Sequence, residues 1–150
     1  RHRKRWKIGD WTDDTDMMLC IADAVIEDKG VDFYNIARHF KEWANGEPMG
    51  IGENTYKVLM MGDYVERPFE VSHKVWEMSR YQSAANGGLM RTSVVGLFPK
   101  EVKTCAENIC RLTHYDPRCV GSCVVVSELI HALVYGLEPA TMPMMLNMAP

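Results

Sequence analysis

Residues 9–16 read Gly-Asp-Trp-Thr-Asp-Asp-Thr-Asp, and the eleven residues that follow read MMLCIADAVIE. Four carboxylates, Asp10, Asp13, Asp14 and Asp16, fall within seven residues. Thr12 has the chemistry of a helix N-cap, and acids in a first helical turn favour the positive end of the helix dipole. Capping alone does not call for so many. Packed carboxylates repel unless a cation neutralises them, and a hard, oxygen-preferring ion such as Mg2+ or Mn2+ does so with carboxylates, a hydroxyl and waters. Behind the acids, Met18, Ile21, Ala22 and Val25 recur at i, i+3, i+4 and i+7 and make one apolar face. The stretch therefore predicts an amphipathic helix whose start is a divalent-cation site.

Working outward, the same periodicity continues. Gly30 is expected to end the first helix. Phe33, Ile36, Ala37 and Phe40 mark a second helix running to Asn45 and Gly46, followed by a Gly/Pro-rich loop over residues 46–52 and a short helix from Glu53 or Asn54 to about Met61. Pro68 suits the first turn of a helix through Val75, Trp76 and Ser79. The loop at residues 83–88 should open a helix through Met90, Val94 and Val95, and Pro99 should start another with Val102, Ala106, Ile109 and Leu112 facing inward. The last helix is expected over residues 117–135, with Gly136 as its stop. No run alternates as a strand does, and nothing repeats, so the predicted fold class is all-α. Residues 140–150 are uncharged and rich in Met, Pro and Ala, and read as an atypical tail. Residues 1–136 and 137–150 are accordingly two units of organisation.

Composition narrows the function. The 150 residues are 47% hydrophobic and 25% charged, as in an ordinary globular domain. No apolar run approaches the roughly 20 residues that span a bilayer, the stretch around residues 124–126 being interrupted by Ser127 and Glu128. Basic residues 1–7 lead into an acidic segment rather than an apolar one, so no signal peptide is read. Five of the 17 Lys and Arg residues fall in that basic arm, which makes the remainder more acidic than the net −3 implies. With Trp6 its one aromatic and no reader module behind it, nucleic acid is not the expected partner. Five cysteines at non-zinc spacing, in a Met-rich chain, read as reduced buried thiols, Cys119 and Cys123 lying one turn apart on a helix. A cytoplasmic monomer that binds neither nucleic acid nor membrane is the expectation.

Three segments then stand together. Residues 9–27 (GDWTDDTDMMLCIADAVIE), 86–98 (NGGLMRTSVVGLF) and 112–126 (LTHYDPRCVGSCVVV) resemble the ADP-ribosylglycohydrolase, or DraG-like, family, in which TDDT opens a helix, NG-x-x-MR forms a loop and THxDPR a turn. The intervening WANGEPMGIGENT is similar to a loop of one branch of that family, and the likeness runs over residues 1–136.

The resemblance implies a compact orthogonal multi-helix bundle and a binuclear magnesium centre, with manganese as the alternative. It implies hydrolysis of the glycosidic bond between ADP-ribose and a protein side chain such as arginine, or a small-molecule acceptor. Thr12, Asp13 and Asp14 would be metal ligands, with Asp13 and Asp14 the catalytic carboxylates. Asn86, Gly87 and Gly88 match the substrate loop, where glycines admit close backbone approach and helix-start N–H groups suit a diphosphate. Ser83, Ala85 and His114 would add substrate contacts, and Arg91 would support the architecture. The family's upstream acidic segment and C-terminal DxD motif have no counterpart here. A domain truncated at both ends, with impaired activity, is therefore expected. The alternatives are a non-catalytic ADP-ribose-binding or structural relative, and an unrelated helical interaction domain.

Overall fold

The computed structural model describes residues 6–136, and among these the chain forms six α-helices, one 3-10 segment and no strand. The expected tail over residues 137–150 and most of the basic arm lie outside the described residues. The helices are α1 (Asp13–Asp28), α2 (Phe33–Asn45), α3 (Glu53–Leu59), α4 (Pro68–Met78), α5 (Val102–Arg111) and α6 (Pro117–Val134), with the 3-10 segment Leu89–Leu97 between α4 and α5. The all-α expectation holds.

The apolar spacing decides what packs. Met17, Ile21 and Ala24 of α1 face Ile36, Ala37 and Phe40 of α2, and all six are buried. The 3-10 segment is the hub, packing on α1, α5 and α6, while α3 bridges α2 and α4. The boundaries follow local chemistry. Asp32 caps α2 by accepting from the Tyr34 and Asn35 amides, and Asp116 caps α6 by accepting from the Arg118 amide with Pro117 at the first turn.

Two boundaries, one cap bond and one segment type differ from the sequence reading. Lys29, not Gly30, takes the left-handed conformation (φ 53°) that ends α1, while the Gly30 amide closes back onto the Val25 carbonyl. Thr12 sits at the N-cap of α1 but makes no side-chain cap bond. Pro99 does not open α5; Phe98 before it is extended, as a residue preceding proline prefers, and the helix begins after a left-handed Glu101. The segment after the glycine loop is a 3-10 turn series rather than an α-helix. Its run Thr92–Ser93–Val94–Val95, β-branched at three of four positions, is a weak α-former, and Gly96 is wedged against α6, where a Cβ would lie 2.6 Å from Ile130 Cβ.

Helix α6 has a mean hydropathy of 1.4 over 18 residues, long and apolar enough by those measures to cross a membrane. Ser127 and Glu128 do not interrupt it as expected. Its inner face (Cys119, Val120, Cys123, Val124, Ser127) is buried against α5 and the 3-10 segment, where the Ser127 and Thr92 hydroxyls pair at 2.9 Å. That is the packing of a core helix.

The wedge makes a prediction. Gly96→Ala must push Ile130 or the Ser127 carbonyl, 2.8 Å from the new methyl, and should cost about 1–3 kcal/mol in urea unfolding. Gly62→Ala, which meets nothing within 4 Å, should leave stability within about 0.5 kcal/mol. Equal effects of the two would show that the 3-10 segment is not wedged on α6.

Candidate functional site

Two features converge here, an acidic helix start and a glycine loop. At the first, the Thr12 carbonyl accepts the first helical bond from the Asp16 amide at 3.0 Å, while its hydroxyl points to Asp14 Oδ2 at 3.3 Å. The hydroxyl is thus turned toward the carboxylates instead of the helix amides. Asp13 is half-buried and Asp14 exposed. Asp16 belongs to a different job: Trp11 Nε1 donates to its Oδ1 at 2.8 Å and Trp43 Nε1 to its Oδ2 at 3.1 Å. Trp43 thereby ties α2 to α1, and Trp11 ties the segment before α1 to its first turn. Asp10 folds back to accept from the Lys7 amide at 2.7 Å. Four acids in sequence become two structural carboxylates and two, Asp13 and Asp14, left to face solvent beside Thr12.

These donors are all oxygens, the set a hard divalent cation prefers. Among the described residues no three His, Cys, Asp or Glu side chains gather in a metal-holding group. Thr12, Asp13 and Asp14 bring oxygen donors to this end of α1 and fall short of a binuclear shell.

The glycine loop is built by contact. A Cβ on Gly87 would lie 2.7 Å from His114 Cε1 and 2.8 Å from Thr55 Oγ1, and one on Gly88 would lie 2.9 Å from Cys110 Sγ. Only glycine fits at either point. Ser83 Oγ donates to Asn54 Oδ1 at 2.8 Å, Asn54 Nδ2 donates to the Thr113 carbonyl at 2.9 Å, and Cys119 Sγ donates to the Ala85 carbonyl at 3.3 Å. Asn86 is exposed, and its carbonyl accepts from the Met90 amide. Ser83, Ala85, Gly87, Gly88 and His114 are therefore one assembly, joined by Asn54 and Thr55 at the start of α3.

That same segment reaches the acidic end. Gly50 approaches Asp13, its Cβ position lying 3.7 Å from Asp13 Oδ1, and Thr55 touches Gly87. Five residues of chain span at most about 18 Å, so residues 50–55 tie the acidic helix start to the glycine loop.

His114 is 1% exposed and lies beneath Gly87. Its protonation follows from its neighbours. Arg91 Nη2, which can only donate, gives a hydrogen bond to Thr113 Oγ1 at 2.7 Å, and Thr113 Oγ1 lies 2.8 Å from His114 Nδ1. With Thr113 Oγ1 accepting from Arg91, its own proton is free for His114 Nδ1, while Nε2 is buried without a hydrogen-bond partner among the described residues. Burial, reinforced by the Arg91 charge, brings the imidazole pKa down to about 3 from 6.5, so the ring is neutral. Asp116 is the opposite case. Arg118 hydrogen bonds, with a further one from Trp76 Nε1 at 3.2 Å, hold its carboxyl down at about 2.

A cleft of about 510 Å3 opens beside the loop, between α3 and α4. Met61, Val75 and Met78 form apolar walls, and Asn54, Ser79 and Ser83 place polar groups on the rim. A smaller hollow of about 220 Å3 on the other side of residues 84–86 is edged by Arg118. Asn54, Thr55 and Trp43 were not singled out by sequence. The GIGENT loop was noted, but their partners lie far away in the chain.

The fold and site define a helical domain in which residues 50–55 link an acidic helix start to a glycine loop. The ADP-ribosylglycohydrolase family profile matches residues 2–149, and the chain belongs to that family. It is 25% identical over 160 aligned positions to the ADP-ribosylarginine hydrolase Tri1 of Serratia proteamaculans, covering 93% of this chain and 41% of the relative. It is 24% identical to the protein of the same name from Pseudomonas putida, covering 89% and 38%. It is 23% identical to the ADP-ribosyl-[dinitrogen reductase] glycohydrolase of Rhodospirillum rubrum, covering 88% and 44%. The chain thus spans less than half the length of these relatives.

The buried neutral histidine carries a pH signature. Its folded pKa lies below its unfolded one, so only the unfolded chain takes up a proton as pH drops below 6.5. This contribution is constant above pH 6.5 and is lost progressively down to about pH 3, with a slope of up to about 1.4 kcal/mol per pH unit. Denaturant unfolding at a series of pH values should show this slope in the native chain and a shallower one in His114→Asn. The same slope in both would place the titration elsewhere.

Proposed function

We propose that this chain carries the nucleotide seat and one half of the metal shell of an ADP-ribosylglycohydrolase, an enzyme that hydrolyses the bond between ADP-ribose and an acceptor such as a protein arginine. The observation that carries the reading is the close approach of Gly87 to His114 and Thr55 on one side, with Gly50 beside Asp13 on the other. His114 and Thr55 fill the space on one side of Gly87 and so leave bare backbone for a ligand on its other side.

The cleft between α3 and α4 suits a nucleobase, with apolar walls for its faces and Asn54, Ser79 and Ser83 for its edge. Exposed Asn86 and the backbone at Gly87 and Gly88 suit the diphosphate, with Arg118 as the cation beside the loop. The distal ribose would then extend toward Thr12, Asp13 and Asp14. These three would hold a magnesium ion, which when bound supplies positive charge for ribose hydroxyls and a polarised water. His114 and Thr55 hold the loop from below. Trp11 and Trp43 keep Asp16 occupied and so fix the direction in which the first turn of α1 presents Asp13 and Asp14. In this reading either Asp13 or Asp14 would accept a proton from an attacking water.

The acceptor linkage follows the relatives only as a class: proteins bearing ADP-ribosyl groups. The alternative reading, an ADP-ribose binder without catalysis, is favoured by the incomplete donor set among the described residues.

Isothermal titration with ADP-ribose, with and without Mg2+, separates the two. The hydrolase reading predicts binding that tightens at least tenfold with Mg2+ and loses that gain in Asp13→Ala. Binding indifferent to Mg2+ supports the non-catalytic reading. No binding in either condition contradicts both.

A further inference from the structure

Three of the five cysteines meet the glycine loop, which capping and core packing do not require. Cys119 Sγ donates to the Ala85 carbonyl at 3.3 Å. Cys110 on α5 and Cys123 on α6 lie directly under Gly88: a single point, the position of a Gly88 Cβ, is 2.9 Å from one sulfur and 3.5 Å from the other. The two sulfurs therefore flank one point beneath the loop, and both side chains are at most 1% exposed. Cys110 also donates to the His114 carbonyl at 3.3 Å. This pair therefore touches both parts of the site assembly, the loop through Gly88 and the supporting turn through His114.

We propose that Cys110 and Cys123 form a redox-modification site, a dithiol that a two-electron oxidant of the peroxide class converts to a disulfide, altering the glycine loop above it.

The surroundings favour reaction at Cys123 first. Its neighbours Cys110 and Thr92, with the positive charge of the Arg91 guanidinium, hold its thiol below the ordinary value. Cys110, buried against that sulfur, is held above it. The Cys123 thiolate attacks one peroxide oxygen, the O–O bond breaks, and the departing hydroxide takes a proton to leave as water. Cys123 becomes a sulfenic acid. The Cys110 sulfur then attacks the Cys123 sulfur, the S–O bond breaks, and a second water leaves with the Cys110 proton. Two thiols lose two electrons and two protons, and hydrogen peroxide becomes two waters.

The loop cannot ignore the change. A disulfide draws the sulfurs to about 2.05 Å, while Gly88 rests on both of them. Oxidised Cys110 has no S–H left to give the His114 carbonyl, so the turn that supports Gly87 loses a hydrogen bond. Cys20, which donates to the His39 carbonyl, and Cys105, beside Glu101, lie outside this assembly. The effect on nucleotide binding rests on the proposed function; the chemistry of the pair does not.

The 150-residue chain is treated with hydrogen peroxide, alkylated under denaturing conditions and peptide-mapped. The proposal expects Cys110 and Cys123 peptides joined and short of two hydrogens, separated again by dithiothreitol, with the same link formed in Cys119→Ala. Hydrogen exchange of amides 85–90 should change at least threefold in the oxidised chain. A Cys119–Cys123 link, or Cys110 and Cys123 both fully alkylated while Cys20 is oxidised, overturns it; so does a link that leaves exchange at 85–90 unaltered. A titration of both forms with ADP-ribose should show at least tenfold weaker binding after oxidation. Absence of binding in both forms counts against the proposed function alone, because the peptide map and exchange still decide the dithiol.

Discussion

Arg91 is the group on which the rest of the molecule is hung. Its side chain is completely buried, yet among the described residues no carboxylate pairs with it, a costly arrangement for a charge. The cation is satisfied piecemeal and in part, Nε having no hydrogen-bond partner there. It lies over the Phe40 ring at 4.4 Å, donates to the Ile109 carbonyl at 3.0 Å and to Thr113 Oγ1 at 2.7 Å, and contacts Met17 Sδ at 3.6 Å. Burial lowers its pKa from the ordinary value, but an arginine retains its proton. One planar side chain therefore joins α1, α2, the end of α5 and the turn before α6. Met17 is one turn beyond Asp13, and Thr113 precedes His114. The acidic helix start and the support of the glycine loop are thus referred to the same fixed point.

That arrangement explains why charge and function separate cleanly in the acidic stretch. Asp16 is held by Trp11 and Trp43, and Asp10 by the Lys7 amide, so both are tied to the scaffold. Asp13 and Asp14 have no indole or backbone partner of that kind and look outward next to the Thr12 hydroxyl. The glycine loop is divided likewise. Its underside is packed on His114, Thr55, Cys110 and Cys123, while Asn86 and Ala85 remain exposed. Rigid support below and open polar backbone above is the form a site for a charged ligand takes.

Much of this was legible in the sequence because it is local. Met18, Ile21, Ala22 and Val25 announce α1 by period alone, although Met17 and Ala24 prove to be its most buried companions to Ile21. Pro68, Asp116 and Pro117 mark their helix starts by chemistry that acts over three residues. What could not be read depends on contacts across the chain. Asn54 looks like a polar residue at a helix start, and its role appears only when it meets Ser83 and Thr113, 29 and 59 residues away. Thr12 has capping chemistry, but the neighbouring carboxylate draws its hydroxyl elsewhere. The 3-10 segment follows from the wedge of Gly96 on Ile130, a tertiary demand that overrides the apolar period. His114 was placed near the nucleotide by resemblance, and its burial beneath Gly87 makes it a support for that loop.

The central claim is that the loop at residues 83–88 and the start of α1 bind one ligand together. Amide hydrogen exchange of the reduced chain with ADP-ribose and Mg2+ tests it most directly. The account predicts slowed exchange at residues 85–90 and at 13–16 in the same titration, with the amides of α5 unchanged. Protection confined to a different surface, or none at either segment when ligand is saturating, would contradict it.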